Sequence, residues 1–307
     1  DLSTYNYSSM TANTSALHFV PGAEGDNFPK KMRCRKESEI IKTIVEKAVN
    51  SGDPIKLGIS LHAYADTFSH QGFSGLASKV NDVEAVRENN QIQLSFFQLL
   101  KEGSWQEIGT RITSLFSEFR RDKIIPAYGH GQVYAYPDIP YLEWRYEYDA
   151  SADFSSQYRV SRVKNRERFI EAFEKIKKIL QRFLENNEQY KDHSTAAVDY
   201  QEFYSILTAR KVEKERIAAW KDFMLTNQLF SDADKNLMEY DHQLWLKKAF
   251  KDFISCDFER REVEDVNLAQ DFLESSWYKY YLGIQWYKKL FFQAAVDCGL
   301  SIPNSYI

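Results

Sequence analysis

Apolar residues recur three and four positions apart over most of this chain, the period of helices that bury one face. The clearest run is 38–49. There Ile40, Ile41, Ile44, Val45, Ala48 and Val49 form a single stripe behind Ser38, a residue type that caps helix N-termini. Ser51-Gly52-Asp53-Pro54 then stops the helix. A second helix is expected over 55–70, with Leu57, Ile59, Leu61 and Phe68 as its apolar surface and Gly72 placed to end it. Helical patterns follow near 81–102 and 105–121, divided by Gly103-Ser104, and then at 158–187, 196–208, 211–229, 235–254 and 267–298. Residues 1–30 read as irregular, broken by Pro21-Gly22 and Phe28-Pro29.

Two stretches stand out from this pattern. Residues 124–157 lose the helical period and hold three of the seven prolines, Pro126, Pro137 and Pro140, among tyrosines and Trp144. A connection this long inside a compact domain is often functional. The last helix is dense in aromatics: Phe272, Trp277, Tyr278, Tyr280, Tyr281, Trp286, Tyr287, Phe291 and Phe292. They spread around its circumference, which suits burial between neighbours better than a single membrane-surface face. The fold expected is all-α, a multi-helix globular bundle. It reads as one helical domain over 1–307, with halves 1–123 and 158–307 joined by the aromatic loop 124–157.

Composition narrows the function classes. With only 12 Gly and 7 Pro in 307 residues, long helices are favoured over many tight turns. A net charge of -4 offers no broad basic field to draw in nucleic acid. The run Lys30-Lys31-Met32-Arg33-Cys34-Arg35-Lys36 reads as an exposed flank before the first helix. Cys34, Cys256 and Cys298 have neither disulfide-framework nor zinc-knuckle spacing, which agrees with a reducing compartment and favours the cytoplasm. No stretch of about 18 apolar residues is present to form a transmembrane helix. The chain begins Asp1-Leu2-Ser3 without Met, and so reads as a processed product or a piece of a longer protein. Nothing in the sequence speaks to oligomeric state.

The chemistry concentrates in one segment. His62, Asp66 and His70 are each four residues apart, so on a helix they line one stripe. Imidazole and carboxylate are ligands for zinc and related divalent metals, and a helix presents them with little ordering cost. Ser69 and Gln71 add hydrogen-bonding capacity, Gln71 as a substrate contact. A second group lies in the aromatic loop. Gly129-His130-Gly131 lets the backbone approach closely and aims an imidazole, while Asp138 is a further ligand or a partner for His130. The metal set read from the sequence is therefore His62, Asp66, His70, His130 and Asp138, with Tyr136 and Tyr141 beside it as substrate contacts. His18, in an apolar run, reads as a buried histidine with a hydrogen-bond partner, completion of the site being the other reading. His193 and His242 lie in charged contexts and read as surface. No phosphate-binding glycine loop and no serine nucleophile elbow occurs, and no catalytic residue can be assigned.

The segment His62-Ala63-Tyr64-Ala65-Asp66-Thr67-Phe68-Ser69-His70-Gln71-Gly72-Phe73, with Gly129-His130-Gly131 and Tyr136-Pro137-Asp138-Ile139-Pro140-Tyr141, resembles an uncharacterised family of bacterial helical proteins. More distantly, the His62/Asp66 helix is similar to that of the zinc-dependent phospholipase C and P1-nuclease superfamily. That likeness implies an all-α phosphodiesterase core, with His62 and Asp66 as zinc ligands and Asp66 able to bridge two ions. The chain departs from the superfamily in lacking recognisable counterparts of its N-terminal tryptophan and several further histidines. Two functional readings follow. The first is a zinc-like, metal-dependent hydrolase acting on a phosphoester or another small molecule. The second is a non-catalytic helical binding protein whose His/Asp cluster is structural, and which meets a partner through the aromatic loop and last helix.

Overall fold

A computed structural model describes residues 7, 10–88, 128–133, 135–148, 160–191, 198–211, 213–229, 241, 243–251, 253 and 267–302. Its framework is helical. Helix α1, Glu39–Asn50, buries Ile40, Ile41, Ile44, Val45, Ala48 and Val49, the stripe expected from the sequence. Ser51 and Gly52, the latter at φ 66, turn the chain, and Asp53 caps α2, Pro54–Ser69, by accepting from the Ile55 and Lys56 amides. That carboxylate satisfies amides the first helical turn leaves open, while Pro54 loses nothing there by lacking an N–H.

Between α2 and the next helix the chain makes a small antiparallel sheet: β1, Val83–Glu88; β2, Glu143–Tyr148; and β3, Val160–Lys164, in the order β1-β2-β3. The fold is mainly helical, as expected, and the sheet changes three element assignments. A helix was expected from 81, the connection 124–157 was expected to be irregular, and the long helix was expected from 158. The strands have a clear physical basis. Trp144 and Tyr146 are buried while Glu143 and Arg145 between them are not, the two-residue alternation of a half-buried strand. Trp144 pairs with Val163 across the β2–β3 ladder, and both lie in one apolar cluster. The rest of 81–102 and all of 105–121 lie outside the described residues, as do Cys256, His193 and His242.

Helix α3, Asn165–Glu185, leaves β3 directly, and α4, Tyr200–Leu207, α5, Glu213–Thr226, and α6, Leu244–Ala249, follow. The last helix, α7, is Ser276–Asp297. Tyr287 and Phe291 of α7 join Ile40, Ile41 and Ile44 of α1, Phe68 of α2, and Ile179 and Phe183 of α3 in one core, which therefore draws on both ends of the chain. A second core of Phe19, Cys34, Phe73, Val133, Tyr136, Leu142, Trp144, Tyr146 and Val163 lies between the sheet and the end of α2. The Cys34 thiol is buried there, and burial pushes its pKa up, with the nearby Asp66 charge adding to the effect. Cys34 and Cys298 are both free.

Two further expectations change. Arg33, read as part of an exposed basic flank, is 1% exposed and donates to the Val80 carbonyl at 3.2 Å. Backbone bridges on either side, Pro21 to Cys34 and Arg33 to Ser74, fold this segment into the interior. The α7 aromatics divide. Tyr287, Phe291 and Phe292 are core, whereas Tyr280 and Tyr281 are 42% and 45% exposed. Among the described residues no helix is long and apolar enough to cross a membrane.

Candidate metal centre

Residues 10–20 bring a histidine to α2. Met10–Ser15 forms a widened helical turn, and the His18 and Phe19 amides both donate to the Thr14 carbonyl, at 2.9 and 3.0 Å. The buried Tyr287 hydroxyl donates to the Ala16 carbonyl at 2.7 Å, and the Thr14 and Tyr128 hydroxyls are hydrogen-bonded. Anchored on both sides, the segment turns the His18 imidazole toward the one-turn pair His62 and Asp66.

These three side chains form an outer group. His18 Nδ1 lies 2.9 Å from Asp66 Oδ2 and 3.3 Å from His62 Nε2, and His62 Nε2 lies 3.7 Å from Asp66 Oδ2. A tetrahedral ion with bonds of about 2.0–2.1 Å sets its ligands about 3.3 Å apart, so the triangle has the dimensions of three ligands around one metal. The His18 and His62 side chains are 46% and 54% exposed, so the group opens to solvent. His18 is thus not the buried histidine expected from its apolar neighbours. The backbone of 16–20 is fixed inside while this one side chain points out.

An inner group joins His70, His130 and Asp138. His70 caps the C-terminal end of α2, its amide donating to the Asp66 carbonyl at 2.9 Å. Its Nδ1 lies 2.7 Å from the His18 carbonyl oxygen, and its Nε2 lies 3.0 Å from Asp138 Oδ1. The Phe19 ring stacks on His70 at 4.8 Å between centroids, and the His130 ring lies 4.7 Å from His70. His130 Nε2 lies 3.8 Å from Asp138 Oδ2. Burial works against charge on His70. The Asp138 hydrogen bond and the Asp66 and Asp138 charges outweigh it and raise the pKa above the ordinary value. Burial likewise works against charge on Asp138, but the His70 hydrogen bond and the neighbouring imidazoles hold its carboxyl below the usual range.

The structure therefore splits the single stripe read from the sequence. Asp66 does stand between the two histidines of its helix, Oδ2 being 3.7 Å from His62 Nε2 and 3.8 Å from His70 Nδ1. Yet His70 Nδ1 is already engaged by the His18 carbonyl, and the ring turns its other nitrogen to Asp138. Three devices hold that arrangement. Gly129, at φ 55, allows the close approach of the Phe19 ring, which stands 2.8 Å from where a Cβ would be. Asn165 donates to the Tyr136 and Ile139 carbonyls, at 2.5 and 2.7 Å, and accepts from Trp144 Nε1 at 3.2 Å, clamping the turn Tyr136–Asp138 to the start of α3. Arg168 donates to the Ser69 carbonyl at 3.0 Å, next to His70.

The expected substrate contacts are placed unevenly. Gln71 donates its amide to the Phe68 carbonyl at 2.8 Å, and Tyr136 is 6% exposed, packed edge-on against Trp144. Tyr141 is half-buried, with the Arg210 guanidinium 5.6 Å from its ring centre. Sequence reasoning missed the roles of Asn165 and Arg168, whose partners lie between 21 and 99 residues away along the chain, leaving no local signal.

Comparison with known proteins places the chain in a family. A family of unknown function, DUF6765, matches residues 3–295, and the chain belongs to it. No curated protein and no solved structure matches the chain.

Proposed function

We propose that this protein is a metal-dependent hydrolase of phosphoesters that holds a divalent ion, zinc in the first instance, between His18, His62 and Asp66. The observation that carries the reading is the triangle of 2.9, 3.3 and 3.7 Å between three ligand atoms on an accessible surface. Three protein ligands with one side open is the arrangement of catalytic rather than structural zinc sites. When bound, such an ion polarises a phosphoryl oxygen and makes water acidic enough to attack near neutral pH. Asp66 supplies the negative charge that balances the ion. His62 approaches from one turn earlier on the rigid α2, and His18 closes the triangle from a separately anchored segment. Tyr141 and the adjacent Arg210 are our candidate contacts for the anionic end of the substrate, because Gln71 and Tyr136 are engaged elsewhere. The metal triangle rests on these side chains, and the phosphoester substrate class is the part carried over from the phospholipase C and P1-nuclease resemblance.

A second reading, the non-catalytic binding protein, is favoured by one observation. Leu244, Trp245, Tyr280, Tyr281 and Leu282, all on α6 and α7, are exposed apolar residues among those described. Elemental analysis combined with a hydrolysis assay separates the two. On the first reading the purified protein carries zinc, manganese or iron and cleaves bis(p-nitrophenyl) phosphate until a chelator removes the metal. His62→Ala and Asp66→Ala lower both metal content and rate, and His242→Ala lowers neither. Equal metal content in all three variants excludes the hydrolase reading.

A further inference from the structure

The inner group has a proton-count problem that points to a ligand. His70 Nδ1 faces a backbone carbonyl at 2.7 Å, so it carries hydrogen and donates. In a neutral ring the lone pair is then on Nε2, and that lone pair faces Asp138 Oδ1 at 3.0 Å. Two acceptors at this distance need a cation between them. A proton satisfies His70 and Asp138 but does not draw in a third group. Here His130 Nε2 turns to the other oxygen of the same carboxylate, 3.8 Å away, as a shared ion would require. The bond from Nδ1 to a carbonyl is also the usual way a metal-ligating histidine is oriented and its tautomer fixed.

We infer that the chain holds a second divalent ion on His70 Nε2, His130 Nε2 and the Asp138 carboxylate, and that this inner ion orders the outer group. The inner group shelters an ion on its histidine side, while the Asp138 side chain is 49% exposed. His70 is 5% exposed under the Phe19 ring, and Phe73 packs edge-on to His130 at 6.3 Å. On the histidine side, under Phe19 and beside Phe73, ion–ligand attraction is screened less than in bulk water. Ordering passes through two bonds on one ring residue. An ion on Nε2 makes Nδ1–H a stronger donor to the His18 carbonyl, and the His70 amide holds the carbonyl of Asp66. His18 and Asp66 are two of the three outer ligands. The inner ion thus loads first and fixes the outer triangle for the second. The coupling rests on the outer ion proposed above; the inner ion does not.

Cobalt titration of the metal-free full-length protein, followed by its visible absorption and by competition with a chelator, tests this. Wild type is expected to bind two cobalt ions per chain. His62→Ala should keep one, the inner ion. His130→Gln should also keep one, the outer ion, held at least tenfold more weakly than in wild type. Asp138→Asn, nearly isosteric, serves as the second inner-group variant, with circular dichroism confirming that each protein is folded. If His130→Gln and Asp138→Asn still bind two ions, or His62→Ala binds none, there is no inner ion. If the outer ion binds His130→Gln with wild-type affinity, the coupling is refuted. If wild type binds one ion that survives His62→Ala and is lost in His130→Gln, the inner ion stands and the hydrolase reading fails.

Discussion

His70 Nδ1 lies 2.7 Å from the carbonyl oxygen of His18, so the buried imidazole of one His/Asp group holds the backbone of a residue whose own imidazole belongs to the other. The two groups are therefore one mechanical unit. The chain reaches it from residues 10–20, from α2 and from the turn before β2. The predictions below follow from how that unit is held.

The first concerns acid and base. His70 has its pKa raised in the fold, so its contribution to stability is complete below the unfolded histidine value of about 6.5 and is lost as pH rises through the folded value. Asp138 has its pKa lowered, so its contribution is complete above the unfolded aspartate value of about 3.9 and is lost as pH falls through the folded value. The metal-free protein should thus gain most from this pair between about pH 4 and 6.5. Melting temperature measured across pH in a chelating buffer should fall on the alkaline side for wild type and fall less for His70→Gln. Identical alkaline limbs would contradict the pairing.

Asn165 supports the inner group from below. It is fully buried and makes three hydrogen bonds, so Asn165→Ala leaves two carbonyls and the Trp144 indole N–H without this partner. A loss of about 3 kcal/mol is expected in urea unfolding. Because the turn holding Asp138 is released, metal affinity should drop as well. Asn165→Asp sets a buried carboxylate oxygen against both carbonyls and should be at least as damaging as Asn165→Ala.

Gly129 sets the approach of Phe19 and His130. An alanine there meets the Phe19 ring at 2.8 Å and must hold a left-handed backbone. That conformation alone costs about 1–2 kcal/mol for a residue with a Cβ. Gly129→Ala should lower the unfolding free energy by at least this amount and weaken metal binding. A variant as stable as wild type would show that the turn relaxes freely.

Glu37 ties α2 to α3. Its carboxylate accepts from the Tyr64 hydroxyl at 2.7 Å and from Lys175 at 3.0 Å, although its own backbone sits at φ 51. Glu37→Ala strands the buried Tyr64 hydroxyl and keeps the strain, for an expected loss of about 2 kcal/mol. Glu37→Gly loses the same bonds but removes the strain, and should be the less damaged of the two. Thermal unfolding of both proteins checks the order.

The sequence was most readable where local pattern and tertiary demand agree. The α1 stripe from Ile40 to Val49 and the stop at Ser51-Gly52 follow from residue type and spacing alone. The alternation Glu143-Trp144-Arg145-Tyr146 was equally local, but neighbouring prolines and tyrosines masked it as loop. In the candidate site, the pairing of His62 with Asp66 was legible because one helix carries both. The place of His18 was not. It depends on Tyr287 and Thr14 fixing the backbone of 16–19, and so on contacts made across 271 residues. For the same reason the division of His70 from His62 was hidden. Spacing puts them on one stripe, and only the His18 carbonyl and Asp138 turn the His70 ring away.

In His130→Gln only the outer group is intact, so zinc X-ray absorption on that protein reads the metal held by His18, His62 and Asp66 without interference from the inner group. Bound zinc should show nitrogen and oxygen neighbours at about 2.0–2.1 Å and the outer-shell scattering of two imidazoles. No zinc bound even at a concentration that saturates a tenfold-weakened site, or zinc surrounded by oxygen with no imidazole scattering, would contradict it.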